Sequence, residues 1–159
     1  MMLFRLLSCV FAIVATAACA DAHRIDVTTV LSHGNCRTDT VGVTEIDYAT
    51  LATFRGAHLI GMTQSAEAIR NPVHLVAIAP GQFPTAGYAV VLNGEPSLDG
   101  HLLTVRVKID RPPADAVLAQ MLTRPCLVVG VADQTVRSVR AIDDAQREIG
   151  EVVLSPSTK

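Results

Sequence analysis

The clearest pattern in the chain is a strict alternation of apolar and polar residues from Leu103 to Asp110. Successive side chains of a β-strand point to opposite faces, so the alternation predicts a strand with one buried face and one solvent-exposed face. Arg111-Pro112-Pro113 follow directly. Proline has no backbone N–H to donate to a sheet, so the strand is predicted to end there.

A different pattern predicts a central strand over Val73–Ala79, where nearly every residue is apolar. Asn71-Pro72 precede this run and Pro80-Gly81 follow it, which is typical of a strand buried on both faces. Ala86–Asn93 is predicted to be its hairpin partner. Further strands are predicted at Ile25–Leu31, at Leu127–Ala132 and Val136–Ile142 on either side of Asp133-Gln134, and at Val152–Leu154.

One short helix is predicted from about Glu45 to Arg55. Thr44 with Asp47 three residues later resembles a capping box, and apolar residues then recur at helical spacing until Phe54. The segment 114–122 is predicted to be extended or irregular. These elements indicate an α+β fold, a mainly antiparallel β-sheet with one short helix packed on it. An immunoglobulin-like β-sandwich is the alternative.

Residues 1–22 have the pattern of an export signal. Arg5 supplies the positive charge, Leu6–Ala18 the apolar stretch, and small residues follow. The apolar stretch is shorter than the roughly 20 residues that span a bilayer as a helix. Residues 23–159 are therefore predicted to form a single exported domain.

Two modes of signal cleavage remain open. Ala18-Cys19-Ala20 and Ala20-Asp21-Ala22 both fit an ordinary signal peptidase site, which would leave a periplasmic or secreted protein. Thr16-Ala17-Ala18-Cys19 is similar to a bacterial lipobox, which would make Cys19 a lipidated N-terminus and the protein membrane-anchored. A lipid at Cys19 is the only contact with a membrane that the sequence predicts.

Composition narrows the range of partners. Half of the 159 residues are apolar and 18% are charged, which excludes an intrinsically disordered chain. The formal charge is −2 and basic residues form no run, so nucleic acid is not an expected partner. The aromatic residues left after signal removal are too few for a base-stacking platform; they are Tyr48, Phe54, Phe83 and Tyr88.

Two cysteines, Cys36 and Cys126, remain after cleavage beyond Cys19. In an oxidising compartment such a pair is most simply a disulfide. His33 and Cys36 also have a spacing found among metal ligands, but a zinc site usually has four ligands in two close pairs, so no metal is predicted.

Catalytic signatures are not evident. Asp143, Asp144 and Glu148 form an acidic cluster beside Arg147, but the cluster does not follow the calcium-loop pattern and is expected to be a solvated face. No nucleophile elbow, phosphate-binding loop or zinc-protease motif occurs. We expect a non-enzymatic protein without a cofactor.

One segment is more specific. From His74 to Val131 an apolar strand leads to Pro84-Thr85-Ala86-Gly87-Tyr88, the alternating strand ends at Arg111-Pro112, and Thr123-Arg124-Pro125 lead into a last strand. This order resembles the PrcB C-terminal domain family. Ala86 and Cys126 stand where that family usually has glycine and an aromatic residue.

The family takes its name from a lipoprotein subunit that associates with a secreted protease and supports its stability. The resemblance therefore implies a non-catalytic domain that binds a protein partner such as a protease. The motif residues either build the hairpin and core or contact the partner, and Tyr88 is expected to start a core-facing strand. The partner-contact hypothesis covers Phe83, Pro84, Thr85, Gly87, Tyr88, Arg111 and Pro112.

A second resemblance gives the alternative function. Pro84-Thr85-Ala86-Gly87-Tyr88, followed later by Arg111-Pro112, is similar to two inhibitory loops of the chagasin-type cysteine-protease inhibitors. The chain has no tryptophan, Phe83 stands at that family's asparagine position, and 22 residues separate Tyr88 from Arg111, too few for its middle loop.

Overall fold

A computed structural model describes residues 25–36, 41–55 and 74–156. The predicted export signal and Cys19 lie outside these ranges. Within them, no helix is long and apolar enough to cross a lipid bilayer. The elements are β1 (Val27–His33), β2 (Gly42–Ile46), α1 (Tyr48–Arg55), β3 (His74–Ala79), β4 (Ala89–Leu92), β5 (Ser97–Asp99), β6 (Leu102–Asp110), β7 (Cys126–Val131), β8 (Ser138–Ile142) and β9 (Glu148–Val153).

The first sheet has the strand order β1-β7-β3-β2 and is antiparallel throughout. Its central strands β3 and β7 are buried at every residue. Both faces of these strands are covered, which explains their nearly continuous apolar sequences. The buried central strand predicted over Val73–Ala79 is confirmed for His74–Ala79, and Val73 lies outside the described residues.

The second sheet has the order β4-β6-β8-β9, and β5 pairs with the start of β6. In β6 the apolar side chains of Leu103, Val105 and Val107 are buried while Arg106 and Lys108 are exposed, so the predicted half-buried strand is confirmed. β8 pairs with β6 in parallel, because the chain enters the first sheet as β7 before it returns.

The core lies between the two sheets. Val76 and Val129 of the first sheet pack in one cluster with Val105 and Val139 of the second. On the other face of the first sheet, α1 contributes Leu51 and Phe54 to a smaller buried cluster. The layers are therefore helix, sheet and sheet, and the predicted α+β class with a mainly antiparallel sheet and one packed helix is confirmed.

The edge strands of the two sheets also approach each other. The Ser32 hydroxyl in β1 donates a hydrogen bond to the Val90 carbonyl in β4 at 2.8 Å. In β9, a Cβ placed on Gly150 would lie 3.1 Å from the backbone nitrogen of Val43 in β2.

The predicted hairpin between Val73–Ala79 and Ala86–Asn93 is wrong. β3 pairs with β2 and β7, whereas β4 pairs with β6 in the second sheet. An apolar pattern reports how deeply a strand is buried and does not report which strand lies beside it. Residues 80–88 consequently connect the two sheets.

The helix begins later than predicted. Gly42–Ile46 forms β2, paired with β3, so the helix starts at Tyr48. Asp47 is the residue that caps it, with its Oδ1 accepting a hydrogen bond from the Thr50 backbone nitrogen at 2.7 Å. The capping role predicted for Thr44 therefore belongs to Asp47.

Candidate protein-binding surface

Strand ends bring the residues of the partner-contact hypothesis to one end of the molecule. β4 begins where β6 ends, with Ala89 opposite Asp110, and β7 begins beside the end of β3. The connections at this end are residues 80–88, residues 111–125 and the turn 143–147. We call this region the loop end.

The first two connections are bonded to each other. The backbones of Phe83 and Thr123 exchange two hydrogen bonds of 2.8 and 2.9 Å. The buried hydroxyl of Thr123 also donates to the Thr85 carbonyl at 2.8 Å. Residues 80–88 are therefore held against residues 111–125.

Gly87 provides a second contact between these connections. Its φ is +92°, a conformation that side-chain-bearing residues rarely adopt. A Cβ on Gly87 would lie 3.0 Å from the Cβ of Pro112 and 3.5 Å from Leu118. The glycine and the proline of the motif thus pack directly against each other.

Tyr88 does not start a core-facing strand, and that prediction is wrong. It precedes β4 by one residue and is half-buried. Its ring stacks on Phe83, with ring centroids 4.3 Å apart and planes at 26°. The tyrosine ring therefore packs against a neighbouring loop residue, and both rings of the aromatic pair remain half-buried.

A disulfide fixes the neighbouring turn. Cys36 and Cys126 are bonded and fully buried, with their Cα atoms 5.8 Å apart, so the predicted disulfide is confirmed. Next to it, the Cys36 backbone nitrogen donates to the Arg124 carbonyl at 2.7 Å, and Asn35 Oδ1 accepts from the Arg124 backbone nitrogen at 3.2 Å. The first strand is thereby tied to the loop end.

The disulfide also involves one of the two residues, His33 and Cys36, whose spacing in the sequence is found among metal ligands. Cys36 is bonded to Cys126, and Nδ1 of His33 accepts a hydrogen bond from the Asn35 backbone nitrogen at 3.0 Å. Across the described ranges, no three His, Cys, Asp or Glu residues are grouped as metal ligands would be.

The turn 143–147 is built around one carboxylate. Asp143 is buried, and its Oδ1 accepts hydrogen bonds from the backbone nitrogens of Ala145 and Arg147, each at 2.9 Å. Its Oδ2 accepts from the Arg147 guanidinium at 2.8 and 2.7 Å. These bonds, above all those from the Arg147 side chain, lower the pKa of the Asp143 carboxyl. The expected solvated face therefore describes Asp144 and not Asp143.

Between this turn and residues 80–88 lies an open cleft of about 400 Å³. Phe83 and Arg111, both predicted from the motif, lie on its wall. The sequence analysis did not place the turn 143–147 beside Phe83 and Arg111, because only the fold brings it to the cleft. Ile109 offered one signal in the sequence, because it is the last apolar residue of the alternating strand. In the structure it is only half-buried. The lining residues are Pro80, Phe83, Ile109, Arg111, Asp143, Asp144, Ala145 and Arg147.

Comparison with protein families gives a match over part of the chain that forms the loop end. Residues 74–132 match the PrcB C-terminal family. The resemblance predicted from the sequence is thereby confirmed. Comparison with curated proteins and with solved structures gave no match.

The PrcB-like segment runs from β3 through β7 and contains two of the three connections of the loop end, residues 80–88 and 111–125. It also contains large apolar side chains that stand in solvent. Val117 is fully exposed, Leu122 is 65% exposed and Met121 is 48% exposed. They lie in 114–122, which forms neither helix nor strand, as predicted. Neighbouring exposed apolar side chains are a mark of protein-binding surfaces.

Proposed function

We propose that this chain is an exported, non-catalytic binding domain that associates with a secreted or envelope protease and stabilises it. The PrcB C-terminal match supports this function, because the family is named after a protease-associated lipoprotein subunit. The proposal that the protein is exported rests on the signal pattern of residues 1–22. Cys19 is the candidate anchor if the lipobox is used.

The observation that carries the proposal is the exposed apolar group Val117, Met121 and Leu122 on the PrcB-like segment. These side chains project from a connection that is held by the Phe83–Thr123 backbone pair. A pre-formed surface loses little conformational freedom when it binds, so more of its contact energy appears as affinity.

The polar groups at the loop end favour binding over catalysis. The Thr123 hydroxyl is engaged with Thr85, and Asp143 with Arg147. Nδ1 of His33 is engaged with a backbone nitrogen. Each bond fixes a loop or turn, which suits a rigid contact surface.

The test is capture from periplasm or culture medium on the immobilised exported protein. We expect the bound fraction to contain a protease that retains its activity longer with the domain than without it. Val117→Ser with Leu122→Ser should abolish this effect. Val153→Ser is the matched control, because Val153 is 76% exposed but lies at the opposite end of its sheet, beside Ser138.

Equal capture and protection by the loop variants would contradict the proposal. Stoichiometric inhibition of a papain-like protease by the wild type, lost in Phe83→Ala and Thr85→Ala, would instead favour the chagasin-like alternative.

A further inference from the structure

Part of the lining of the cleft beside Phe83 is apolar. Phe83, the half-buried Ile109 and Pro80 contribute this part. Ile109 lies at the end of β6 opposite the buried Val90, so the core of the second sheet supports it. An apolar side chain that enters the cleft would therefore pack against an apolar surface that the core of the second sheet supports.

The charged residues around this apolar surface are mostly engaged. Arg147 is bound to Asp143 at 2.7 Å. Asp144 accepts a hydrogen bond from Asn93 at 2.8 Å. The Arg147 charge is therefore paired, whereas the exposed Asp144 carboxylate keeps its negative charge.

Arg111 differs from its neighbours. It is exposed and lines the cleft, yet it forms no ion pair with any residue in the described part of the chain. The adjacent carboxylate of Asp110 is taken by Lys108 at 2.6 Å. An arginine guanidinium has five N–H donors and binds carboxylates in a two-pronged geometry. Among the lining residues, Arg111 is thus the cation that has no ion pair within the described part of the chain.

Resting on the proposed function, we propose that this cleft binds a segment of the partner in which an apolar residue is followed by Glu. The apolar side chain lies against Phe83 and Ile109, and the glutamate carboxylate binds the Arg111 guanidinium. The cleft is open, so the segment passes through it and continues. Capture of a chain terminus typically relies on backbone N–H nests, whereas the cation here is a single side chain.

The test uses short peptides blocked at both ends, with Leu-Glu or Leu-Gln at the centre, followed by amide NMR shifts of the exported protein. We expect saturable shifts at Phe83 and Arg111 with the Leu-Glu peptide. Binding should weaken about five-fold or more when Glu is replaced by Gln or when Arg111 is replaced by Gln. Arg106→Gln is the matched control, an exposed arginine of β6 outside the cleft, and should leave the affinity unchanged.

Equal affinity for the Glu and Gln peptides, or no binding of either, would overturn this inference. Tighter binding of a peptide that ends in a free leucine carboxylate would also overturn it, in favour of a terminus. Protease capture that survives Arg111→Gln but fails with Val117→Ser and Leu122→Ser would overturn the inference and leave the proposed function standing. Arg111-dependent peptide binding without capture of any protease would support the inference and contradict the proposed function.

Discussion

At the scale of single residues, Asp143 shows how a charge maintains the shape of the cleft. Its two oxygens accept hydrogen bonds from two backbone nitrogens and from the Arg147 side chain, so the turn closes around one buried carboxylate. Gln146, inside this turn, has a φ of +61°. The bonds to Asp143 therefore hold a backbone conformation that residues other than glycine seldom adopt.

Stability in acid should depend on this residue. The folded state lowers the pKa of Asp143, so its stabilising contribution is present above the ordinary pKa and is lost as pH falls through the lowered value. We expect the melting temperature of the wild type to fall more than that of Asp143→Asn between about pH 7 and about pH 3. Thermal unfolding followed by circular dichroism measures the difference.

Asp115→Asn, in an exposed loop, serves as the control, and its melting temperature should fall in acid as much as that of the wild type. The variant at 143 will still lose some stability in acid because of Glu45. Burial raises the pKa of Glu45, but hydrogen bonds from the Ser155 backbone and from His74 outweigh burial and lower it. Parallel acid curves for Asp143→Asn and the wild type would show that the Arg147 pair does not contribute to stability.

Residue-level roles were predictable where chemistry restricts the options. In a chain that is predicted to be exported, two cysteines have few alternatives to pairing, and Cys36 and Cys126 are bonded. The role of Tyr88 was not predictable, because a large amphipathic ring packs equally well in a core or on another ring. Only the fold places Phe83 beside it.

At the scale of elements, the two connections of the PrcB-like segment behave as one unit. They are joined by the Phe83–Thr123 backbone pair, by a backbone hydrogen bond from Ala86 to Ala119, by the buried Thr123 hydroxyl and by the Gly87–Pro112 contact. A change at one connection should therefore disturb the other.

Gly87→Ala tests this coupling. The new methyl group faces both a positive φ and a 3.0 Å contact with Pro112. Gly94 is the matched control, since its φ is +84° but a Cβ there would meet nothing within 4 Å. We expect Gly94→Ala to cost about 1 to 2 kcal/mol in free energy of unfolding for the positive φ alone, and Gly87→Ala to cost more. Urea unfolding gives both values, and equal costs would show that the Pro112 contact is not tight.

The elements themselves were largely predictable and their partners were not. Periodicity predicted β3 and β6, because burial on two faces or one leaves a direct pattern in the sequence. The parallel pairing of β6 with β8 depends on the chain visiting the other sheet in between, which no local pattern records. The short β5 and the uniformly half-buried β2 left too weak a pattern to be predicted.

At the scale of the whole molecule, the disulfide joins parts of the chain that are far apart in sequence. Cys36 and Cys126 are 90 residues apart, and the bond links β1 to the start of β7. It therefore restricts the unfolded chain over more than half of the sequence. The same bond holds the turn after β1 against the loop end.

Reduction should consequently destabilise the fold as a whole. Loss of a native disulfide from a small exported domain costs about 2 to 5 kcal/mol in free energy of unfolding. We expect the denaturant midpoint of the protein without its predicted signal to fall in reductant. The Cys36→Ala/Cys126→Ala variant should have the midpoint of the reduced wild type, with or without reductant. Titration of two free thiols in the unreduced wild type would contradict the assignment.

The meeting of the sheet edges also affects how the molecule behaves among copies of itself. An unpaired strand edge is a template on which another molecule can add a strand, the first step toward aggregates and fibrils. Here β1 lies along β4 and β2 lies along β9, each close enough for the backbones to approach. Such crowding hinders strand addition from outside. Copies of a domain built this way can be concentrated without joining one another through their sheet edges.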